Sequence, residues 1–542
     1  MGARTMAHKT TVGKPPAQRS GRTTSAEGHL ERERKYEGDA GVPLAPLADA
    51  LPGPGPDGPV TAVAADPEQL RAVYYDTADL RLLARRITLR RRTGGHDAGW
   101  HLKLPAADGA RLELQLPLDP DAPDAPARVP AEFLTRVRAY VRDGRLAPIA
   151  QLATERRRTL LTDGTGRVLA ELAEDAVTAR ALEPSGAVRH EQRWQEVEAE
   201  LVEGDGPLLD AVEARLLAAG LHRSASASKL ARALGPVTAA ADTDRHAGTA
   251  AEPTREPVPD SVGALLAALL RQQIAQLLAQ DAEVRRDTPD AVHQMRVCAR
   301  RLRSTLRVHE RLLRLDDVAG LEEELRWLGQ TLGTARDREV LGERLLRELD
   351  TLDRTERPGP MRRRLRTWSR QGYRTAWRLT VRELESPRYF ALLDALEALA
   401  AHPPLRRRAD RPAAGEVRRL LTRERHRACL RVAQALALPT GSERDEALHR
   451  ARRAAKRARY AGEGAAQPRF AAAMKALQTV LGERQDALIA AQALPELAAT
   501  AHRAGEPGFG YGVLYVRQRE AITAAEAQLP ALQATASAVR VK

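Results

Sequence analysis

Two shortages in this 542-residue chain exclude whole classes of protein. Phe, Trp and Tyr together make up only 3% of the residues, so hydrophobic cores have to be built mainly from Leu, Ala and Val. The two cysteines, Cys298 and Cys429, lie far apart within helical patterns. Their number and spacing argue against a disulfide framework and a cysteine-based zinc site, and they indicate a reducing compartment.

Long apolar runs are also lacking. No run approaches the roughly 18–20 apolar residues that a helix needs to cross a bilayer. The first 28 residues are polar and basic, without the apolar core of a signal peptide. We therefore expect a cytoplasmic protein that binds no membrane, and we expect residues 1–28 to form a disordered tail.

Positive charge is concentrated in the C-terminal half. The formal net charge of the chain is +14, and its pI is about 10.2. Residues 1–260 contain 35 basic and 38 acidic residues, whereas residues 261–542 contain 51 and 34, a net charge of +17. Such a surplus indicates a polyanionic partner, for which nucleic acid, a membrane surface and polyphosphate are the alternatives.

The two halves also differ in periodicity. Apolar and polar residues alternate between residues 29 and 235, for example in Trp100–Leu104, and this alternation predicts β-strands. Helices are predicted beside the sheet over 130–145 and 206–234. A linker rich in Ala, Thr, Asp and Pro is predicted over 236–260. Residues 261–530 are helical in pattern and predict an all-α bundle domain, followed by a tail over 531–542.

Several predicted strands carry charges on one face, since residues two apart point to the same side. Glu31, Glu33 and Lys35 share a face of the first strand. In an ordinary sheet such a face meets water. Because five strands repeat the pattern with charges grouped by sign, we favour a closed barrel with the charged face inward. Its carboxylates would hold divalent cations, and its Arg and Lys side chains would bind phosphate oxygens.

These residues resemble a known family. The pattern Glu31-x-Glu33-x-Lys35 is similar to the ExExK signature of CYTH domains, or triphosphate tunnel metalloenzymes. Further blocks of this family follow in order, at Tyr74–Thr77, Leu89–Gly95, Trp100–Pro105, Glu198–Leu201 and Ser228–Leu230. The resemblance covers about residues 29–235. It implies an α+β domain in which an eight-stranded antiparallel tunnel with flanking helices hydrolyses triphosphate compounds with Mg²⁺ or Mn²⁺.

The resemblance also implies roles for individual residues. Glu31, Glu33 and Lys35 would be the catalytic signature. The implied metal ligands are Glu31, Glu33, Asp175, Glu198 and Glu200. The implied phosphate-binding residues are Lys35, Arg90, Arg92, Lys103, Arg111, Arg156, Arg158 and Lys229. In two places the resemblance implies a ligand within a short segment, and the residue is chosen within that segment. Strand parity favours Arg156 and Arg158 within Arg156–Arg158, and Asp175 is preferred within the acidic stretch Glu171–Asp175.

An internal repeat organises the helical half. In each copy a His is followed by cations at +3, +7, +8 and +10, and those at 0, +3, +7 and +10 fall on one narrow helix face. We call these two faces the ridges. The first ridge comprises His293, Arg296, Arg300 and Arg303, and the second comprises His449, Arg452, Lys456 and Arg459. A Leu-Gly-x-x-x-Asp element follows each copy, at Leu332–Asp337 and Leu481–Asp486.

A solvated Arg-rich helix face is the ordinary alternative, but no acidic residue lies between the His and the last cation of either copy. The repeat resembles the CHAD family over about residues 261–530. The two copies imply two similar four-helix units related by a pseudo-twofold axis. The resemblance implies an all-helical domain with a basic central groove that binds inorganic polyphosphate through the ridge residues.

Together these features predict a metal-dependent inorganic triphosphatase, acting on inorganic triphosphate or short polyphosphate, with a polyphosphate-binding helical domain. Association with polyphosphate granules in the cytoplasm is one expectation. A non-catalytic polyphosphate-binding scaffold is the alternative from another class. Thiamine triphosphatase and adenylate-cyclase-like activities occur among CYTH relatives and stay open, and so does nucleic-acid binding by the basic half.

Overall fold

The computed structural model describes residues 27–38, 44, 46, 51, 60–106, 110–118, 128–235, 256–314, 318–353, 355–356 and 359–541. Nearly all of the predicted N-terminal tail and residues 236–255 of the predicted linker lie outside this part of the chain. The chain forms two compact units. One contains Met1–Glu132 and Leu146–Asp242, and the other contains Phe133–Arg145 and Thr243–Lys542.

The first unit is built on an antiparallel β-sheet. Its strands are β1 (Glu27–Glu31), β2 (Glu33–Glu37), β3 (Thr61–Ala64), β4 (Glu68–Asp76), β5 (Thr88–Thr93), β6 (Gly99–Pro105), β7 (Arg111–Leu116), β8 (Ala147–Thr162), β9 (Val168–Leu182), β10 (Val188–Leu201) and β11 (His222–Arg223). Neighbours follow the order β1-β7-β6-β5-β4-β8-β9-β10-β2-β11, and β3 pairs with β8.

The sheet closes on itself through its first two strands. Only Arg32 separates β1 from β2, yet β1 pairs with β7 and β2 pairs with β10, at opposite ends of the strand order. Counted as one interrupted strand, β1 and β2 join β4 to β10 in a ring of eight strands. This is the closed antiparallel tunnel that the charged strand faces predicted, and closure turns one face of every strand inward.

Two helices of the first unit pack against the ring, one on its outer face and the other over its inner face. Helix α2 (Gly206–Ala218) buries Leu208, Val212 and Leu216 against Tyr36 and strand β10. Helix α3, described over residues 229–235, buries Leu230 and Leu234 in a separate core with strands β4, β8, β9 and β10. Ala72, Tyr74 and Leu152 of this second core also line the interior cavity, so apolar side chains occupy one end of the ring and charged side chains line the rest of its interior.

A buried carboxylate fixes the turn after β4. Asp76 is fully buried and accepts hydrogen bonds from the backbone N–H groups of Thr77, Leu82 and Leu83, at 2.7, 2.9 and 2.9 Å. The tyrosine-rich block that ends in Asp76 and Thr77 thus has a structural reason. Its aspartate replaces the backbone acceptors that this short irregular segment lacks.

The helix expected beside the sheet over 130–145 is present as α1 (Ala131–Val141), but the prediction of its place was wrong. Residues from Phe133 to Arg145 belong to the helical unit. Within that unit Arg142 is only 2% exposed and forms ion pairs with Asp394, at 2.7 Å, and with Glu397. A buried guanidinium needs such partners, and they lie in the helical unit.

The second unit is otherwise made of nine helices within the described residues from 256 onward. They are α4 (Val262–Arg285), α5 (Ala291–Val308), α6 (Ala319–Asp350), α7 (Gly359–Glu383), α8 (Pro387–Ala401), α9 (Ala413–Leu436), α10 (Ser442–Gly464), α11 (Pro468–Arg503) and α12 (Phe509–Ala538). Helix α12 runs eight residues past position 530, the boundary that the sequence suggested.

The nine helices form two halves with the same order of packing. Helix α5 packs between α4 and α6, and α10 packs between α9 and α11. One core contains residues of α4, α5, α6 and α8, and another contains residues of α9 to α12. The first half departs from a plain four-helix unit because α8 buries an apolar face that includes Phe390 and Leu393.

Helix α4 is long and apolar enough to cross a membrane when length and composition are the only criteria. The sequence-based expectation that no such run exists therefore fails for this helix. Half of the apolar stretch is buried inside the protein, where Leu266, Leu270 and Leu277 belong to the core of the first helical half. A core helix meets the same criteria as a membrane span.

Candidate functional site

The interior of the β-ring holds a cavity of about 450 Å³. Strand register places the predicted residues around it, because Lys35 pairs with Glu198 and Glu33 pairs with Glu200 across β2 and β10. Glu31 lies opposite Arg111 across β1 and β7. The cavity wall contains seven cations, Lys35, Arg90, Arg92, Lys103, Arg111, Arg156 and Lys229, and seven carboxylates, Glu31, Glu33, Asp97, Glu113, Glu171, Glu198 and Glu200.

Carboxylates crowd one part of this wall. Glu31 is 3% exposed and accepts hydrogen bonds from Lys103 Nζ at 2.6 and 2.9 Å. Burial and a hydrogen bond with Glu113 raise the pKa of Glu31 to about 8. Burial likewise raises the pKa of Glu200 to about 7. Both groups therefore hold protons near neutral pH when no further cation is near.

Glu113 contacts several of the basic side chains around Glu31. Its Oε1 atom lies 2.8 Å from His101 Nδ1, 3.6 Å from Arg90 Nη2 and 3.8 Å from Lys103 Nζ. Burial opposes ionisation of Glu113, but the hydrogen bonds with His101 and Glu31 and the charges of Lys103 and Arg90 outweigh it. The pKa of Glu113 is lowered. Glu113 thus stays anionic and keeps the proton on Glu31.

A lysine organises the opposite part of the wall. Lys229 Nζ lies 2.9 Å from Asp175 Oδ2, 2.7 Å from Glu196 Oε1 and 2.5 Å from Glu198 Oε1. Lys35 also pairs with Glu198, and it lies 3.4 Å from Glu33 Oε1. Burial would lower the pKa of Lys229, but the three carboxylates raise it. This second group of carboxylates is therefore already neutralised by protein cations.

Arg156 and Arg158 have different surroundings. Arg156 lines the cavity and binds Asp175 with both ends of its guanidinium, at 2.8 and 2.7 Å, and also Glu198 at 2.8 Å. Arg158 pairs with Glu68 at 2.9 Å and with Glu171 at 3.3 Å, and it is not among the described residues that line the cavity. Asp175 is held in the wall behind Arg156.

The remaining phosphate-binding candidates line the cavity as well. Arg90 lies 3.4 Å from Tyr74 Oη, and Arg92 pairs with Asp97. Burial, followed by the charges of Arg90 and Arg156, lowers the pKa of Arg92 to about 9. Arg111 reaches the carbonyl oxygen of Arg86 at 2.9 Å. Burying several cations close together costs free energy, and a bound anionic ligand would reduce that cost.

Two groups of side chains have a donor set suited to a metal ion. His29, Glu31 and Glu200 bring ligand atoms within 4.8 Å of one another, and so do Asp175, Glu196 and Glu198. In the first group the raised pKa values mark carboxylates that lack sufficient cationic partners. In the second group Lys229 contacts all three carboxylates. A hard divalent cation therefore fits the group of Glu31 and Glu200 better.

The two ridges of the helical unit face each other. Helices α5 and α10 are in contact, and Arg301 of α5 reaches Glu463 of α10 at 3.1 Å. Tyr460 lies under the guanidinium groups of Arg301 and Arg459, at 5.5 and 4.9 Å from the ring centre. In the described part of the chain, four of the six ridge cations form no ion pair: Arg300, Arg303, Arg452 and Lys456.

The basic side chains of the two ridges lie close together, and burial together with this crowding lowers the pKa of Lys456. Burial, followed by the charges of Arg452, Arg300 and Arg296, lowers the pKa of Lys456 to about 6. The pKa values of Arg300 and Arg452 are lowered as well, in each case mainly by burial. Arg296 and Arg459 are paired with Asp337 and Glu463, each at 2.8 Å. The repeat therefore brings cations of both copies into one cluster, which we call the basic groove.

The ridge histidines differ in their surroundings. His293 is half-buried near Arg336 and Asp290, whereas His449 is exposed and lies 3.2 Å from Gln485 Oε1. Burial lowers the pKa of both. In the described residues neither belongs to a group with metal-ligand geometry.

Sequence reasoning missed some residues of the tunnel wall. His29 lies with Glu31, and Glu196 lies with Lys229, but neither was assigned a role. Strand parity contained the signal for Glu196, which alternates with Glu198 and Glu200. The pairing across strands that makes Glu113 a partner of Glu31 follows only from the register.

Comparison with known proteins agrees with this geometry. Residues 58–234 match the CYTH domain family, and residues 268–495 match the CHAD domain family. An uncharacterized protein of Mycobacterium tuberculosis strain H37Rv is 38% identical over 521 residues, which cover 93% of this chain and 95% of that protein. A protein of strain CDC 1551 / Oshkosh matches with the same identity and coverage.

Two solved structures are similar to part of this chain. PptA from Streptomyces chartreusis is 26% identical and covers 51% of this chain and 99% of its own, with a TM-score of 0.44. The CHAD domain from the plant Ricinus communis is 26% identical and covers 54% of this chain and 98% of its own, with a TM-score of 0.42.

Proposed function

Because this chain belongs to the CYTH–CHAD family of two-domain proteins, we propose that its tunnel is a divalent-metal-dependent inorganic triphosphatase and its helical domain binds polyphosphate. The substrate would be inorganic triphosphate or a short polyphosphate. CYTH tunnel enzymes generally act on phosphoanhydrides, and CHAD domains are associated with polyphosphate. The observation that carries the proposal is the balance of cations and carboxylates in the tunnel wall.

Seven cations face seven carboxyl groups in the cavity wall. A triphosphate that enters would draw Lys103, Arg90 and Arg156 onto its oxygens, since Arg and Lys bind phosphate through charge-assisted hydrogen bonds. The carboxyl groups from which these three cations move away, Glu31 above all, would then lack a positively charged partner. A divalent cation restores the balance, so anion and metal would bind together.

Glu31 and Glu200 are the residues that would hold the metal, with Glu33 and Glu198 on the same inner face. When bound, the metal would supply charge neutralisation at the phosphate oxygens and would lower the pKa of a coordinated water. The chain itself would bind the triphosphate along the cationic wall and hold it in line for attack on the terminal phosphorus. This positioning is the main contribution that proteins make to phosphoryl transfer.

The basic groove supports the second half of the proposal. Four of its basic side chains form no ion pair with another described residue, and they come from both copies of the repeat: Arg300, Arg303, Arg452 and Lys456. Polyphosphate offers a negative charge at every unit and no bases for recognition. The groove offers closely spaced cations, while the single tyrosine near them is covered by arginines. Aromatic platforms for stacked bases are therefore lacking among its described residues, which favours polyphosphate over nucleic acid.

Phosphate release by the purified chain tests the enzymatic half. Tripolyphosphate, ATP and thiamine triphosphate are compared in Mg²⁺, in Mn²⁺ and in chelator. We expect metal-dependent release that prefers tripolyphosphate. The variant Glu31→Gln should lower the rate roughly 100-fold, which corresponds to about 2.7 kcal/mol of activation barrier. Glu155→Gln, on the exposed face of β8, is the matched control and should retain the activity.

Three results would change this assignment. Full activity of Glu31→Gln would rule out the role given to the tunnel. No release from any substrate, with polyphosphate still bound, would replace the enzyme by a polyphosphate-binding scaffold. Equal affinity for polyphosphate and single-stranded nucleic acid at matched salt would remove the preference of the basic groove. Arg378→Ala, an exposed arginine of α7, serves as the charge control in that binding assay.

A further inference from the structure

The Leu-Gly-x-x-x-Asp element repeats in both helical halves but contributes none of the ridge cations. Its copies lie on α6 and α11, the helices that follow the two ridge helices along the chain. Leu332 and Leu481 are buried in the cores of their halves, at 0% and 1% exposure. Glycine in the middle of a helix is unfavourable, so its presence at the same place in both copies calls for a packing reason.

A close approach of the ridge arginine gives that reason in the first copy. A Cβ atom added to Gly333 would lie 3.1 Å from Arg296 Nη2 and 3.3 Å from Arg296 Cζ. These distances are shorter than ordinary contacts, so the guanidinium of Arg296 lies directly on the backbone of α6. Any larger side chain at position 333 would have to displace it.

The second copy has a similar but looser arrangement. A Cβ atom added to Gly482 would lie 3.4 Å from both Nε and Nη2 of Arg452. Arg452 occupies the same place in its ridge as Arg296, three residues after the His. The two glycines therefore meet equivalent arginines, although the contacts join different helix pairs.

The aspartate of the element supplies the charge for this contact. Asp337 Oδ1 lies 2.8 Å from Arg296 Nη1. In the second copy the negative charge of Asp486 acts on Arg452. Leucine thus anchors the helix in the core and glycine exposes its backbone to the guanidinium, and in the first copy the aspartate also binds one end of that group.

We propose that the Leu-Gly-x-x-x-Asp element positions the ridge arginines. It holds the guanidinium groups of Arg296 and Arg452 in place before a polyanion binds. This inference rests on the proposed binding of polyphosphate by the basic groove. A free arginine loses many conformations when it binds, and a guanidinium already held against a flat surface loses fewer. The element therefore raises affinity without itself touching the ligand.

The test enlarges Gly333 and compares it with a glycine one helical turn earlier. Gly333→Leu should displace Arg296, whereas Gly329→Leu should not, because a Cβ atom added to Gly329 meets nothing within 4 Å. Affinity for polyphosphate of fixed chain length is measured by calorimetry at constant salt. We expect Gly333→Leu to weaken binding about tenfold, as for loss of one charge-assisted hydrogen bond, and Gly329→Leu to leave it unchanged.

A double-mutant cycle separates positioning from a general effect on folding. In an Arg296→Ala background Gly333→Leu has no arginine left to displace, so it should cause no further loss of affinity. Gly333→Ala, a smaller change, should give the same order of effects if the leucine variant folds poorly. Gly482→Leu with Arg452→Ala repeats the cycle in the second copy.

The outcomes separate this inference from the proposed function. If the unmodified chain fails to bind polyphosphate, the proposed function of the groove is wrong, and the positioning role falls with it. If the unmodified chain binds but Gly333→Leu matches Gly329→Leu, the function stands and the positioning role is wrong. Equal losses from Gly333→Leu with and without Arg296 would likewise overturn the positioning role.

Discussion

Lys229 of α3 lies 2.9 Å from Asp175 of β9, and the same ammonium group also reaches Glu196 and Glu198 of β10. One lysine thus neutralises three carboxylates from two strands. All four side chains are buried or nearly so. The arrangement makes the short helix after β11 a part of the tunnel wall and links its docking to the charge state of the interior.

Lys229→Met should destabilise the tunnel unit. The substitution keeps the length of the side chain but leaves Asp175, Glu196 and Glu198 short of a buried cation. We expect the free energy of unfolding to fall by roughly 3–5 kcal/mol, the cost of breaking a buried ion pair on one side. Urea titration measures it, and Lys475→Met, at an exposed position of α11, is the control. Equal stability of the two variants would contradict this assignment.

Asp76→Ala should also destabilise the tunnel unit, for a different reason. The buried carboxylate accepts three backbone N–H groups, which alanine would leave without acceptors. We expect a loss of about 1–3 kcal/mol, measured by chemical denaturation. Asp79→Ala, which removes an exposed partner of Arg81, should cost much less. If the two variants unfold at the same denaturant concentration, the role given to Asp76 is wrong.

Binding of polyphosphate should strengthen as the pH falls through the range of Lys456. The pKa of this amine is lowered to about 6 by burial and by Arg452, Arg300 and Arg296, and Asp486 opposes the shift only in part. The amine is mostly neutral at pH 7 and becomes charged in acid. An added cation should raise affinity up to about tenfold between about pH 7.5 and 5.5.

Lys456→Arg is the control for this pH profile, because arginine keeps its charge across the whole range. The variant should bind at pH 7.5 about as the unmodified chain binds in acid. His293 and His449 have lowered pKa values and also gain charge in acid. A His293→Asn, His449→Asn double variant therefore defines their share. An unchanged profile in Lys456→Arg would assign the pH dependence to the histidines alone.

Salt should weaken polyphosphate binding steeply, and each cation of the basic groove should contribute to the slope. By analogy with nucleic acids, a plot of log affinity against log salt should be linear. Arg300→Ala removes one groove cation and should reduce the slope by about one. Arg378→Ala removes an exposed charge elsewhere on the helical unit and should change it little. Equal slopes for all three proteins would argue against a localised groove.

Local patterns in the sequence were sufficient for much of the fold. Alternation along the strands predicted which side chains face the tunnel, since Glu31, Glu33 and Lys35 do share the inner face. The register of the repeat predicted that Arg296, Arg300 and Arg303 lie on one side of α5. These inferences need only the geometry of a single strand or helix.

Contacts between distant segments were beyond such reasoning. The partners of Lys229 come from two strands, and Glu113 meets Glu31 only because β1 pairs with β7. The association of α1 with the helical unit depends on Arg142 finding Asp394 some 250 residues later. No local pattern encodes which of many carboxylates an arginine will meet. Likewise, the sequence shows that Gly333 and Gly482 recur in the repeat, but it does not show that they contact arginine side chains.

Closure of the ring by an interrupted first strand has a consequence for synthesis of the protein. The strand that carries Glu31, Glu33 and Lys35 is made early, but Lys35 meets Glu198 only 163 residues later. At a translation rate of roughly 5–20 residues per second, this strand waits roughly 10 to 30 s for its partner. During that interval its unpaired edge is open to wrong neighbours. The closely spaced charges of both signs on this strand disfavour pairing of its free edge with another chain, and so they limit aggregation during synthesis.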